Sequence, residues 1–309
     1  MWPSGNFWVF CTTSLSPRAI KCLGDDMQNK KISVEIYPYK REKNNKILVD
    51  KLKDFQALRL KFISVTYGAS GAIQNSTLGL LDRLSLCTSL NLAAHLTCIN
   101  STKNFVKNIL SSYWDKNIKN IIALGGDIPK CVSQSDYTYA IELIKDIKDN
   151  NNFDVSVAFH PEGHPKDKDI SAELENLKKK IFYGANQAIS QFFFNEEYFL
   201  RFRDKFFKKN KNFKLIPGII LVSNFEMIER FAIKCKSEVP RKTKEYFLAM
   251  KNPQNIPEKY YIEYAAKQCE RLKSEGVQDF HIYSLNKLDS TLKLIKEINP
   301  SERKDATTF

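Results

Sequence analysis

The chain has 309 residues, 43% hydrophobic and 12% aromatic, which is enough apolar surface to fill a sizeable core and excludes a disordered chain. Its formal net charge of +13 comes from lysines scattered over many segments (178–180, 208–214, 242–251). No Arg cluster with interleaved aromatics marks a nucleic-acid groove, so a solvated Lys/Asn-rich surface is expected and no specific nucleic-acid partner.

Residues 1–26 show no periodicity and contrast with the Lys-rich remainder that starts at Met27. They read as a poorly ordered extension, and their W-V-F-C stretch is too short, and lacks a preceding basic residue, for a signal peptide. The seven cysteines are odd in number, scattered and without a C-x-x-C pair. That fits a reducing cytoplasm. No apolar run approaches the roughly 20 residues that span a bilayer.

From there, β-branched and aromatic runs recur at 32–37, 61–67, 92–98, 120–124, 154–159, 188–193, 214–219 and 278–283. Most are about 30 residues apart, the length of a strand, a helix and two loops. Eight such units predict an α/β fold, a (β/α)8 TIM barrel forming a single domain over 27–300, with 301–309 a flexible tail. Amphipathic helices are expected at 105–114, 137–148 and 171–183. The gap from 219 to 278 is about twice the usual size, so the seventh unit carries extra helix (225–237, 258–275), broken up by Pro240, Pro253 and Pro257. A doubly wound sheet is the alternative, but no glycine-rich nucleotide turn follows the first strand.

Several residues at these strand ends carry chemistry. Glu35 alternates with Val34 and Ile36, so its carboxyl points into the barrel mouth as a candidate proton donor, or else pairs with an interior cation. Asp127 follows the fourth strand in a turn where Gly125 and Gly126 let backbone approach a ligand; the same G-G-D pattern is also ordinary turn chemistry. His160 and His164 flank Glu162, but prolines on both sides forbid the helix that would align them on a metal, so no metal is expected. His95 lies in the third strand, where a lone histidine is as readily a core residue. On the following helix Glu173, Asn176 and Lys180 fall at i, i+3 and i+7, with Lys179 beside them, either a nucleotide clasp or a solvated face. Gln191 and Phe192–Phe194 suit a flat heterocycle, or simple core.

Eight segments in order, S-V-E-I-Y-P-Y-K, S-V-T-Y-G-A, A-A-H-L-T-C-I, A-L-G-G-D-I-P, S-V-A-F-H-P-E-G-H-P, G-A-N-Q-A-I-S-Q-F-F-F, I-P-G-I-I-L-V-S-N-F and G-V-Q-D-F-H-I-Y-S-L-N-K, resemble methylenetetrahydrofolate reductase of the short bacterial type from about Ser33 to Lys287. The resemblance implies an FAD-containing barrel that reduces 5,10-methylenetetrahydrofolate to 5-methyltetrahydrofolate with NADH or NADPH. The cycle is ping-pong, on one flavin face, and supplies methyl groups for methionine. It implies Glu35 as the acid that opens the folate ring and Asp127 as a carboxylate beside flavin and pterin. Gln191, Phe231, Met227 and Lys287 take folate-contacting places. Thr66, Tyr67, Ala69, His95, Gly125, Gly126, Asp127, His160, His164, Glu173, Asn176, Lys179 and Lys180 stand where the family holds FAD, which turns the helix face into a clasp. A dimer or tetramer is expected.

The chain departs from the family at Gly125 (usually Arg), His160 (Tyr), Leu221 (Pro), Met227 (Gln) and in P-Y for P-P. The Gly125 change removes a flavin-side cation and predicts weaker FAD retention. Rival readings are a flavin-free folate-binding barrel and a basic RNA-binding protein.

Overall fold

Eight runs rich in Val, Ile, Leu and Phe form strands β1 (Ile32–Ile36), β2 (Phe62–Val65), β3 (Leu92–Thr97), β4 (Asn120–Leu124), β5 (Asp154–Phe159), β6 (Gln187–Phe192), β7 (Lys214–Ile220) and β8 (Phe280–Tyr283) in a computed structural model. It describes residues 31–67, 71–99, 101–126, 135–164, 168–208, 210 and 212–299, with the backbone alone over 71–75. All neighbours pair in parallel and in sequence order, and β1 pairs β8 to close the barrel, setting Val34 opposite Ile282 and Glu35 opposite Tyr283. The expected TIM barrel is the fold. The proposed extension and tail lie outside the described residues, as do Ala69 and Asp127.

The helices are α1 (Glu42–Leu52), α2 (Gly71–Cys87), α3 (Lys103–Asp115), α4 (Ala140–Asn150), α5 (Ile170–Phe182) and α6 (Glu196–Phe207). After β7 come α7 (Phe225–Cys235), α8 (Arg241–Leu248) and α9 (Glu258–Ser274), and α10 (Leu288–Ile298) follows β8. The seventh unit carries the extra helix its length predicted, including α8, which the prolines had hidden. Thr102, Asp169, Asn195 and Asn224 cap α3, α5, α6 and α7 by accepting a backbone N–H. Each cap satisfies donors that a helix start leaves open, and it fixes where the chain turns at the C-terminal mouth of the barrel.

Strand alternation sorts the side chains. Val34, Ile36, Ile63, Val65, Leu96, Val157, Phe159 and Ile282 face outward into the main core beneath the helices. Phe62, Ala93, Ile122, Ile189 and Ile216 fill the axis as a separate interior cluster. The barrel is therefore a plugged cylinder, and chemistry is confined to its ends.

Below that plug, at the N-terminal end, lies a polar layer. Lys61 Nζ donates to Gln187 Oε1, and Gln187 Nε2 donates to Ser156 Oγ at 2.7 Å. Lys214 Nζ stands 4.0 Å from Asp279 Oδ1. Burial holds Lys61 below the usual lysine range; Asp279 and Asp154 oppose that shift and Lys214 adds to it.

Candidate active site

Ser33 and Glu35, on the inward face of β1, sit above the apolar plug. The Glu35 side chain is 22% exposed. Its Oε2 lies 3.5 Å from His95 Nε2 on β3 and 3.9 Å from His281 Nε2 on β8. Both imidazole nitrogens are buried and have no hydrogen-bond partner among the described residues. At these distances neither contact is a full hydrogen bond, so the carboxyl is not locked to either ring.

Burial pushes His95 down to about 4; the Glu35 charge opposes this and His281 reinforces it. His95 is thus neutral at neutral pH. On the other side, His281 Nδ1 lies 2.8 Å from Ser33 Oγ, whose hydroxyl is also 3.5 Å from the Phe280 carbonyl. Tyr283, beside His281 with ring centroids 5.1 Å apart, donates from its hydroxyl to Ser190 O at 2.8 Å. Burial raises its pKa well above the tyrosine range, and Glu35 and Cys235 add to that. Gly218 opposite has no side chain because a Cβ there would collide with the Tyr283 ring and Ser190 O.

The turn after β8 braces Glu35. Leu285 and Asn286 take left-handed φ values of 48° and 58° and reverse the chain. Asn286 then clasps Tyr37, accepting from its N–H at 3.0 Å and donating to its carbonyl at 2.8 Å. Ser284 Oγ donates to the Glu35 carbonyl at 2.5 Å. Lys287 follows, exposed, as the N-cap of α10.

Of the expected folate residues, Gln191, Met227 and Phe231 lie on β6 and α7, while Lys287 follows β8. Helix α7 presents Met227, Phe231 and Cys235 at i, i+4 and i+8, partly buried on one face against the core. Gln191 lies within an irregular stretch of β6 between Ile189 and Phe192. Its Oε1 accepts from Phe192 N at 3.0 Å and its Nε2 donates to Cys235 Sγ at 3.3 Å.

The expected flavin residues divide into two groups. Thr66 and Tyr67 follow β2 in a loop, and the Tyr67 hydroxyl is buried without a hydrogen-bond partner among the described residues, with burial raising its pKa above the tyrosine range. Gly126 adopts φ +86°, and a Cβ on it would come within 3.1 Å of Thr97 Cβ. A Cβ at Gly125 would meet nothing within 4 Å, so the backbone there does not demand glycine. Asn176 and Lys179 are exposed on α5, whereas Glu173 and Lys180 turn inward. Glu173 Oε1 accepts from His160 N at 2.9 Å, and Lys180 Nζ donates to Ala158 O at 2.7 Å, binding α5 to the end of β5. Burial opposes ionisation of Glu173, but the His160 bonds and Lys180 outweigh it and hold the carboxyl below its usual range. Of the three residues expected on one helix face, Glu173 and Lys180 thus bond to the end of β5 while Asn176 is exposed with the neighbouring Lys179. His160 and His164 meet edge to face, ring centroids 5.2 Å apart. Among the described residues no cluster of three or more His, Cys, Asp or Glu is placed for a metal ion.

A groove of about 700 Å³ between α4 and α5, lined by Tyr139, Ile141, Glu142, Lys178, Lys179, Phe182 and Tyr183, lies on the outer helix ring. None of its residues comes from the strands that hold Glu35. Sequence reasoning missed Ser33, His281, Tyr283, Cys235 and Asn286. Ser33, His281 and Tyr283 were within reach, since alternation along S-V-E and F-H-I-Y puts all three on the inward face.

Among solved structures, a Clostridium thermocellum protein that binds two copies of 5-methyl-5,6,7,8-tetrahydrofolic acid shares this fold at a TM-score of 0.65 and 14% identity, over 90% of this chain and 99% of that one. The 5,10-methylenetetrahydrofolate reductase of Pectobacterium carotovorum is 36% identical over 258 residues, covering 84% of this chain and 86% of that protein. That of Buchnera aphidicola from Acyrthosiphon pisum is 36% identical over 269 residues, covering 86% and 91%. Residues 23–299 match the profile of the family described as methylenetetrahydrofolate reductase. With most of its length matched on all these counts, the chain belongs to the methylenetetrahydrofolate reductase family.

Proposed function

We propose that this protein reduces 5,10-methylenetetrahydrofolate to 5-methyltetrahydrofolate in the cytosol, with NADH or NADPH as reductant and FAD as carrier, supplying methyl groups for methionine synthesis. The observation that carries the reading is the Glu35 carboxyl at the barrel mouth, flanked by His95 and His281 with no lysine or arginine against it among the described residues. Ring opening of the folate needs a proton delivered to nitrogen, and a carboxyl beside imidazoles with no cation to lock it as an anion can carry that proton.

The residues present fit a flavin on the β2–β5 side of the mouth. Tyr67 keeps a buried hydroxyl that has no partner among the described residues, Gly126 keeps backbone close, and Asn176 and Lys179 are exposed. These, with Thr66 and His95, would hold it, and the bound group supplies hydride transfer from the nicotinamide to the folate methylene. Neutral His95 leaves the flavin side of Glu35 without positive charge. His281 serves the other side. When Ser33 donates to its Nδ1, Nε2 carries the hydrogen and faces an ionised carboxylate. When Ser33 turns to the Phe280 carbonyl, bare Nε2 faces a protonated one, so the tautomer follows the charge of Glu35. Gln191 and the Met227–Phe231 face receive the pterin, and Lys287 draws the anionic tail of the folate.

The test is a visible spectrum recorded while NADH and then methylenetetrahydrofolate are added without oxygen. A flavin band that bleaches and returns is expected. In Glu35→Gln bleaching should persist while its return slows by about 10²–10⁴-fold; loss of both steps would show that Glu35 is not the acid.

A further inference from the structure

We propose that Cys235 is a positioning residue that fixes the Gln191 amide in one orientation and so sets which edge of a pterin the folate site accepts. The assignment rests on the reading of Gln191 as a folate contact. The Phe192 N–H can be satisfied only by an acceptor, so Gln191 Oε1 faces it at 3.0 Å, and Nε2 is left toward α7, where Cys235 Sγ accepts at 3.3 Å. A flipped amide would set N–H against N–H and leave the sulfur facing oxygen. A glutamine amide has two N–H groups and two lone pairs. These contacts use one of each, and one of each remains for a ligand. A donor and an acceptor side by side in a fixed sense match the amide-like edge of a pterin ring and oppose the reversed edge.

Helix α7 supports the arrangement. Cys235 is its last residue and shares the face of Met227 and Phe231. Lys236 then takes a left-handed φ of 50°, turning the chain so that Ser237 Oγ donates to Phe192 O at 3.3 Å. The end of β6 is thus tied to the end of α7 at two successive residues, and the thiol is held where the amide needs it.

The experiment compares the parent holoenzyme with Cys235→Ala, which deletes the acceptor, and Cys235→Ser, which keeps one. It reads KM for methylenetetrahydrofolate and, without folate, the rate of flavin bleaching by NADH. Loss of one neutral hydrogen bond should raise KM about fivefold in C235A, while C235S stays within about twofold of the parent and bleaching is unchanged in both. An unchanged KM in C235A, or a C235S as impaired as C235A, overturns the assignment. Gln191→Ala with and without C235A gives a second readout. If Cys235 acts through Gln191 the two effects are not additive; additivity overturns the proposal. A parent that neither turns over nor binds the folate overturns the reading of the mouth, and this assignment with it.

Discussion

The two ends of the barrel solve the same problem differently. Both hold ionisable groups next to the apolar plug of Phe62, Ile122, Ile189 and Ile216. At the N-terminal end Lys61 and Lys214 stand among Asp154 and Asp279, two cations against two anions. There the burial that disfavours charge on Lys61 is opposed by two carboxylates, so the lysine is matched by opposite charge at the closed end of the barrel. At the C-terminal end one carboxyl faces two imidazoles, one of them kept neutral by burial. Among the described residues no lysine or arginine stands against Glu35; its charged neighbours are two imidazoles. The difference between a structural and a chemical end lies in whether the partner of the charge can itself change state.

The comparison is most strongly tested by acid. His95 falls from its ordinary 6.5 to about 4 in the folded chain, so between those values the unfolded chain binds a proton that the folded chain refuses. Stability at the mouth should be fully present above pH 6.5 and lost as pH falls toward 4, by about 3 kcal/mol in all. His95→Gln should flatten that part of the profile in urea unfolding measured across this range; an unaltered slope would place the acid sensitivity elsewhere.

Lys61→Met tests the opposite end. It leaves Asp154 and Asp279 with Lys214 alone, and stability should fall by about 2 kcal/mol without change in either half-reaction. Lost folate turnover in a protein that still melts cooperatively would show that the two ends are coupled and the comparison too sharp. The smallest expected effect is that of Ser33→Ala, which removes the hydroxyl from His281 Nδ1 and should slow folate reduction about fivefold while flavin bleaching keeps its rate. Equal slowing of both half-reactions would make Ser33 merely structural.

Much of this was legible beforehand for identifiable reasons. The eight strands were readable because buried parallel strands are short continuous apolar runs, and their spacing leaves room for one helix each. Glu35 was readable because a carboxylate flanked by outward aliphatics in a strand has only the axis to face. Spacing puts Glu173, Asn176 and Lys180 on one helix face with Lys179 beside them, and the structure splits that face. Spacing places residues on a helix, but the approach of β5 decides that Glu173 and Lys180 bond to His160 and Ala158 while their neighbours remain exposed.

The sequence by itself determined the barrel, its closed order, the longer seventh unit and the family, since all of these follow from local pattern and from motifs that read along one chain. Only the tertiary structure decided what surrounds Glu35 and Gln191. Ser33 meets His281 across a separation of 248 residues, Tyr37 meets Asn286 across 249, and Gln191 meets Cys235 across 44. Closing the barrel brings β1 beside β8, and the tilt of α7 brings its last turn over β6. Contacts of that kind depend on where the ring closes and how its helices pack, which periodicity in the sequence does not encode.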